Sequence, residues 1–150
     1  MDNRIIKINE DNYPQFSDMV HWRMTGEQRE PLQQAVNNEI ILELQNPNLY
    51  VYAIQLDNKL VGWISIIYMP KIGKFNGHGH IYIDELWVEP SLRGQGFAKA
   101  LMKKAEEVAE IKNAFGMRLY VNAENQVAQN LYKKCGYSNT CTAYLMEKNK

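Results

Sequence analysis

Residues 83–102 read IDELWVEPSLRGQGFAKALM, and the switch of pattern inside this stretch decides the fold. Up to Val88 the chain is apolar, aromatic and acidic, as in a strand. After Gly96 the apolar residues Phe97, Leu101, Ala105, Val108 and Ile111 recur at helical spacing. The first turn of such a helix leaves backbone N–H groups without partners and concentrates partial positive charge there. Gly94, Gly96 and the small Ala98 would let an anion approach those donors, and Arg93 adds a planar cationic group beside them. The stretch reads as strand, anion-cradling loop and helix.

Upstream, Ile5, Ile6 and Ile8 suggest a short strand, and residues 12–24 carry Phe16, Met19, Val20 and Trp22 at roughly helical spacing before Thr25 and Gly26. A second helix is expected after Pro31, with Leu32, Ala35, Val36, Ile40 and Leu44 as its apolar stripe, ending before Pro47. Residues 49–56 and 60–68 read as antiparallel strands joined by the turn pair Asp57-Asn58. The segment KIGKFNGHGH, residues 71–80, reads as a flexible connection into a strand over 81–88. Beyond the long helix, the pattern predicts a strand over 117–121, a short helix over 126–134 and a final strand pair over 137–146. The strand–helix–strand run from 81 to 121 places a parallel crossover in a largely antiparallel sheet. The expected class is mixed α and β, in one domain spanning residues 1–150.

Seventeen basic residues balance seventeen acidic ones, so no global field draws the chain to nucleic acid or an anionic membrane. Any anion must be held by a local device. The opening MDNRIIKINEDN is charged throughout, and no run of about twenty apolar residues occurs, which predicts a soluble, cytoplasmic protein. Cys135 and Cys141 lack the paired spacing of a zinc knuckle and are expected to be thiols. His78 and His80 form an H-x-H pair with no third ligand nearby, so no metal is expected; they read instead as part of the rim of a substrate cleft. Trp22, Trp63 and Trp87 are candidates for that cleft or for the core.

Two common nucleotide motifs fail at the glycine loop. A dinucleotide fingerprint wants a third glycine where Lys99 stands, and a P-loop wants lysine followed by serine or threonine. Arg93-Gly94-Gln95-Gly96-Phe97-Ala98 instead resembles the R/Q-x-x-G-x-G/A signature of the GNAT superfamily of N-acetyltransferases. Downstream, NQVAQNLYKKCGY carries Asn125, Ala128, Leu131, Tyr132, Gly136 and Tyr137 at the spacing of that family's second motif. The resemblance implies an α+β fold with a central, mostly antiparallel, splayed sheet of six to seven strands and about four flanking helices. It also implies acetyl-coenzyme A as cosubstrate, with no metal.

Acetyl transfer to an amine makes three demands: the amine must lose a proton, the thioester carbonyl must be polarised, and the departing thiolate benefits from a proton. By resemblance, Tyr132 is the general acid and Asp84 or Glu85 the base. Neighbours on a regular strand face opposite sides, so only one of these carboxylates faces the cleft unless a bulge intervenes. The resemblance assigns carbonyl polarisation to a backbone N–H near Val88. The backbone of Leu86, Trp87 and Val88 would pair with the pantetheine arm as an added strand. Arg93, Gly94, Gln95, Gly96, Phe97 and Ala98 would hold the pyrophosphate, and Asn125 would either contact the arm or cap a helix.

The acceptor pocket in this family lies around the first two helices and the loop between them. Glu27, Glu30, Asp84 and Glu85 would give it an acidic approach, favouring a cationic amine on a small molecule, amino acid or peptide. IDELWVEP also resembles a strand of some aminoglycoside 6′-N-acetyltransferases, although the same string occurs across unrelated substrate classes. No nucleic-acid or membrane partner is expected, and a homodimer stays open. Two rivals remain: an acyl-coenzyme A-binding regulatory module without catalysis, and an enzyme acting on protein or charged tRNA.

Overall fold

The computed structural model describes residues 3–31 and 36–150, so Leu32 and Ala35 of the expected second helix lie outside the described residues. The described strands are β1 (Asn3–Lys7), β2 (Leu49–Leu56), β3 (Lys59–Met69), β4 (His80–Val88) and β5 (Gly116–Leu119). The α-helices are α1 (Tyr13–Thr25), α2 (Asn38–Leu44), α3 (Phe97–Ile111) and α4 (Gln126–Lys134). Two compact units result, Met1–Tyr120 and Val121–Lys150.

The first unit holds a five-stranded sheet in the order β1-β2-β3-β4-β5, antiparallel up to β4 and parallel between β4 and β5. That corrects the expected six to seven strands. Residues 138–150 are exposed without regular structure, including Tyr144, Leu145 and Met146, because strand-prone side chains form a strand only where a neighbouring backbone supplies the ladder. The turn chemistry at Asp57-Asn58 behaves as expected. Both residues take positive φ, 47° and 66°, the conformation a two-residue hairpin needs to match the twist of its strands.

Cross-strand register assigns the faces of the sheet. Trp63 stands opposite Ala53 and Trp87, while Ile64 stands opposite Tyr52 and Leu86 on the other face. Helix α1 covers the first face, with Phe16 edge-on to Trp63 and Met19 in the cluster of Ile8, Ala53, Leu60 and Trp63. Helix α3 covers the second, burying Leu101, Met102, Ala105 and Val108. Its Lys104 lies over the Tyr52 ring on that same face. The spacing i, i+1, i+4, i+7 is that of a core-facing stripe, and Leu101, Met102 and Val108 each gain roughly 1.5–3 kcal/mol on burial, the smaller Ala105 less.

The connection over 71–80 is a packed turn: a 3₁₀ segment, Lys74–Gly77, whose Phe75 stacks on Phe115 at 3.8 Å between centroids. Both rings meet His80 edge-on, at 5.2 and 5.7 Å, and His80 is only 6% exposed with no hydrogen-bond partner for Nδ1 among the described residues. The nearby His78 instead shares a hydrogen bond of 2.8 Å with the Asn113 carbonyl. His80 therefore belongs to the packing at the start of β4, four residues before Asp84, and not to a cleft rim, while the half-buried His78 is tied to Asn113.

Burial holds the His80 pKa below its ordinary value, and the positive charges of Arg118 and Lys71 act in the same direction. The folded state thus binds fewer protons at this site than the unfolded chain. Stability from neutral His80 is intact above pH ~6.5 and is lost as pH falls below it. The melting temperature of the native protein is expected to drop more between pH 7.5 and 5.5 than that of His80→Leu. Equal drops in a thermal-unfolding series would contradict the assignment.

Candidate functional site

In β4 two neighbouring residues face one. Ile83 pairs with Ile66 and Glu85 with Ser65, so the register shifts and Asp84 is the extra residue of a bulge. The consequence follows from counting outward. Tyr82 lies on the α1 face, so alternation carries Asp84 to that face, while Trp87 opposite Trp63 carries Glu85 there too. Two adjacent carboxylates thus share one side of the sheet, the exception that simple strand parity left open. The charge of Asp84 helps hold the Tyr82 hydroxyl above its ordinary pKa, after burial as the larger cause.

The two carboxylates differ in their partners. Glu85 Oε2 accepts a 2.8 Å hydrogen bond from Arg23 Nη1, at the end of α1. Asp84 is exposed and makes no hydrogen bond or ion pair among the described residues. Around them the tryptophans form a chain: Trp22 edge-on to Trp87 at 5.6 Å, and Trp87 tilted on Trp63 at 5.3 Å. Trp63 is core, at 1% exposure, while Trp22 and Trp87 are half-buried.

Along its other edge β4 pairs with β5 only from His80↔Gly116 to Ile83↔Leu119. Residues 84–88 have no ladder partner on that side among the described residues. Glu89 donates its N–H to Val61 O at 2.9 Å. Because successive backbone groups alternate between edges, the polar groups of Val88 and Leu86 point to the unpaired edge. Arg93 Nε occupies the Val88 carbonyl at 2.9 Å, leaving the amide. This tether was invisible in the sequence, where Arg93 read only as a charge for the anion.

The loop that follows is built from short-range bonds. Glu89 accepts hydrogen bonds from the Ser91 amide and hydroxyl, contacts that draw its pKa down, and residues Pro90–Leu92 form a 3₁₀ turn. Gly94 and Gly96 then take φ of 81° and 88°, and Gly96 is the N-cap of α3. A glycine cap has no side chain to satisfy the first-turn amides, and no acidic residue stands in that turn. Gln95, Phe97 and Ala98 complete an uncapped helix end suited to an anion, directly after the unpaired strand edge.

In the second unit, Asn125 caps α4, its Oδ1 accepting from the Ala128 amide at 3.1 Å. Tyr132 is half-buried, its ring at 6.3 Å from Tyr137 in a T-shaped arrangement. Burial, aided by Cys135, pushes its hydroxyl pKa up, so the group keeps its proton at neutral pH. No cluster of three or more metal-ligating side chains occurs among the described residues, and Cys135 and Cys141 are free of disulfides. No helix among them is long and apolar enough to cross a membrane.

Comparison with known proteins adds an independent finding. Residues 6–137 match the model of the acetyltransferase (GNAT) family. Over 85 residues the chain is 35% identical to the N-terminal acetyltransferase B complex catalytic subunit naa20 of Schizosaccharomyces pombe, covering 55% of this chain and 43% of that protein. Over 57 residues it is 40% identical to thialysine N-epsilon-acetyltransferase of Bos taurus, covering 38% of this chain and 34% of that one. The match thus spans less than half the length of these two relatives. A crystal structure of the aminoglycoside acetyltransferase meta-AAC0020, from an uncultured soil metagenomic sample, superposes with a TM-score of 0.80 at 17% identity, covering 99% of this chain and 97% of that one.

A Cβ at Gly96 would meet nothing within 4 Å among the described residues, so positive φ is what constrains the position. Gly96→Ala is expected to lose about 1–2 kcal/mol of stability, the cost of a left-handed non-glycine residue, as read by urea unfolding. An unchanged midpoint would show that the loop adopts another conformation in solution.

Proposed function

Since the chain belongs to the acetyltransferase (GNAT) family, we propose that it moves the acetyl group of acetyl-coenzyme A directly to a primary amine, as one catalytic domain. The observation that carries this reading is the unpaired edge of β4 running directly into the uncapped N-terminus of α3. An extended pantetheine arm would pair with the free backbone groups of Leu86 and Val88, and the pyrophosphate would meet the amides after Gly94 and Gly96. Asn125, its oxygen committed to the cap, would offer the arm its amide nitrogen.

The acceptor arrives as an ammonium and must lose a proton before its lone pair can attack. Asp84 is the better base, because Glu85 would first have to leave Arg23. The amine nitrogen bonds to the thioester carbon, and the Val88 amide stabilises the negative charge gathering on the carbonyl oxygen. When the carbon–sulfur bond breaks, Tyr132 supplies a proton to the departing thiolate. The relatives are named for a protein N-terminus, the ε-amine of thialysine and an aminoglycoside. Asp84 and Glu85 on one face favour a cationic acceptor among such classes.

Release of coenzyme A thiol from acetyl-coenzyme A should be stimulated by one class in a panel of amines. Binding without release in any arm would favour the regulatory-module alternative. Asp84→Asn is expected to lower kcat/KM about 10²–10⁴-fold near pH 7, with partial recovery at higher pH where the amine deprotonates unaided. Tyr132→Phe should lower kcat while leaving the KM for acetyl-coenzyme A unchanged. Full activity in either variant would remove that residue's role.

A further inference from the structure

Helix α1 closes on Gly26, whose left-handed backbone returns its N–H to the Trp22 carbonyl at 2.8 Å. Thr25 Oγ1 donates to the His21 carbonyl at 2.9 Å, and the Glu27 amide bonds Thr25 Oγ1 at 3.2 Å. This tight stop fixes the last turn of α1, and with it the direction of Arg23. The guanidinium reaches β4, where Nη1 bonds Glu85, and its carbon stands 5.2 Å from the centre of the Trp63 ring. A second internal cation, Lys59, lies 4.6 Å from the centre of the Trp22 ring. A carboxylate set against tryptophan faces is the composition that recognises ammonium and guanidinium groups. Here that composition is complete, and the cations in it belong to the chain itself.

We propose that Arg23 holds, in the free protein, the place of the acceptor's positive charge. The acceptor then binds Glu85 and the tryptophan faces by displacing an internal guanidinium. The proposal rests on the amine-accepting reading above and assigns Glu85 to charge recognition beside Asp84 as base. The exchange is inexpensive, since the side chains of Arg23 and Glu85 are 35% and 44% exposed and such pairs are held weakly. It also sets specificity. An acceptor must outcompete a tethered cation that bonds Glu85 through one guanidinium nitrogen, so a diamine or a guanidine compound, which can engage both carboxylates, gains over a simple monoamine.

All three tryptophans of the chain lie in this cluster, so intrinsic fluorescence reports on the site without turnover. Titration with 1,4-diaminobutane should show Arg23→Gln binding about two- to fivefold more tightly than the native protein, the range left by removing a weak internal competitor. Arg23→Lys, which keeps a cation in place, should stay near the native affinity. The double variant Arg23→Gln with Glu85→Gln keeps the native net charge and should lose the gain, which separates a local effect from the field of the whole protein. In steady-state assays Arg23→Gln should lower the acceptor KM more than it changes kcat. Equal, weaker or absent probe binding by Arg23→Gln, or a fall in kcat at unchanged KM, would overturn the proposal. A tighter-binding Arg23→Gln in a protein that acetylates no amine would instead refute the enzymatic reading and leave the competing guanidinium standing.

Discussion

The structure depends on how far β4 is allowed to pair. Along one edge it pairs with β3 over its whole length, interrupted by a single bulge, and along the other it keeps β5 for only four residues. A buried strand edge normally cannot tolerate unpaired amides, because each lost hydrogen bond costs about 1–3 kcal/mol when buried without a partner. An edge left open at Leu86 and Val88 is therefore either solvated or reserved for another extended chain. The helix that follows begins with a glycine cap and no side-chain acceptor, which repeats the condition one step further along. Backbone donors without partners among the described residues thus stand at both ends of the intervening turn, at Leu86 and Val88 of β4 and in the first turn of α3.

The bulge at Asp84 has the second consequence. One extra residue shifts the alternation so that two carboxylates come to the face covered by α1, where the tryptophan chain stands. The residues then divide by partner: Glu85 held by Arg23, Asp84 held by nothing among the described residues. Adjacent carboxylates can share one face and yet differ in their partners only because the register slips between them. In the first unit β2 and β3 are paired along both edges, while β4 carries a half-open edge and the two adjacent carboxylates.

Much of this was legible from residue order where the cause is local. Asp57-Asn58 predicts its turn because the two residues themselves must take positive φ, and α3 declares itself by the period of Leu101, Ala105 and Val108. The glycine loop carries its own conformational demand. What sequence could not supply depends on distant partners. The Asp84 bulge exists only relative to Ser65, the Arg23–Glu85 pair joins positions 62 apart, and the tether from Arg93 to Val88 needs the folded turn between them. His80 shows the same limit: beside His78 it reads as a rim residue, yet Phe75 and Phe115 enclose it. The expected strands over 137–146 fail likewise, since their side chains favour extended backbone but meet no ladder.

If the open edge of β4 and the first turn of α3 hold acetyl-coenzyme A, as proposed, amide hydrogen exchange with and without the cosubstrate reads that contact amide by amide. Exchange is expected to slow at Leu86, Val88 and the amides of Phe97, Ala98 and Lys99 on saturation, with little change at β1 and β2. Absence of binding, or protection confined to other segments while these amides exchange as before, would contradict it.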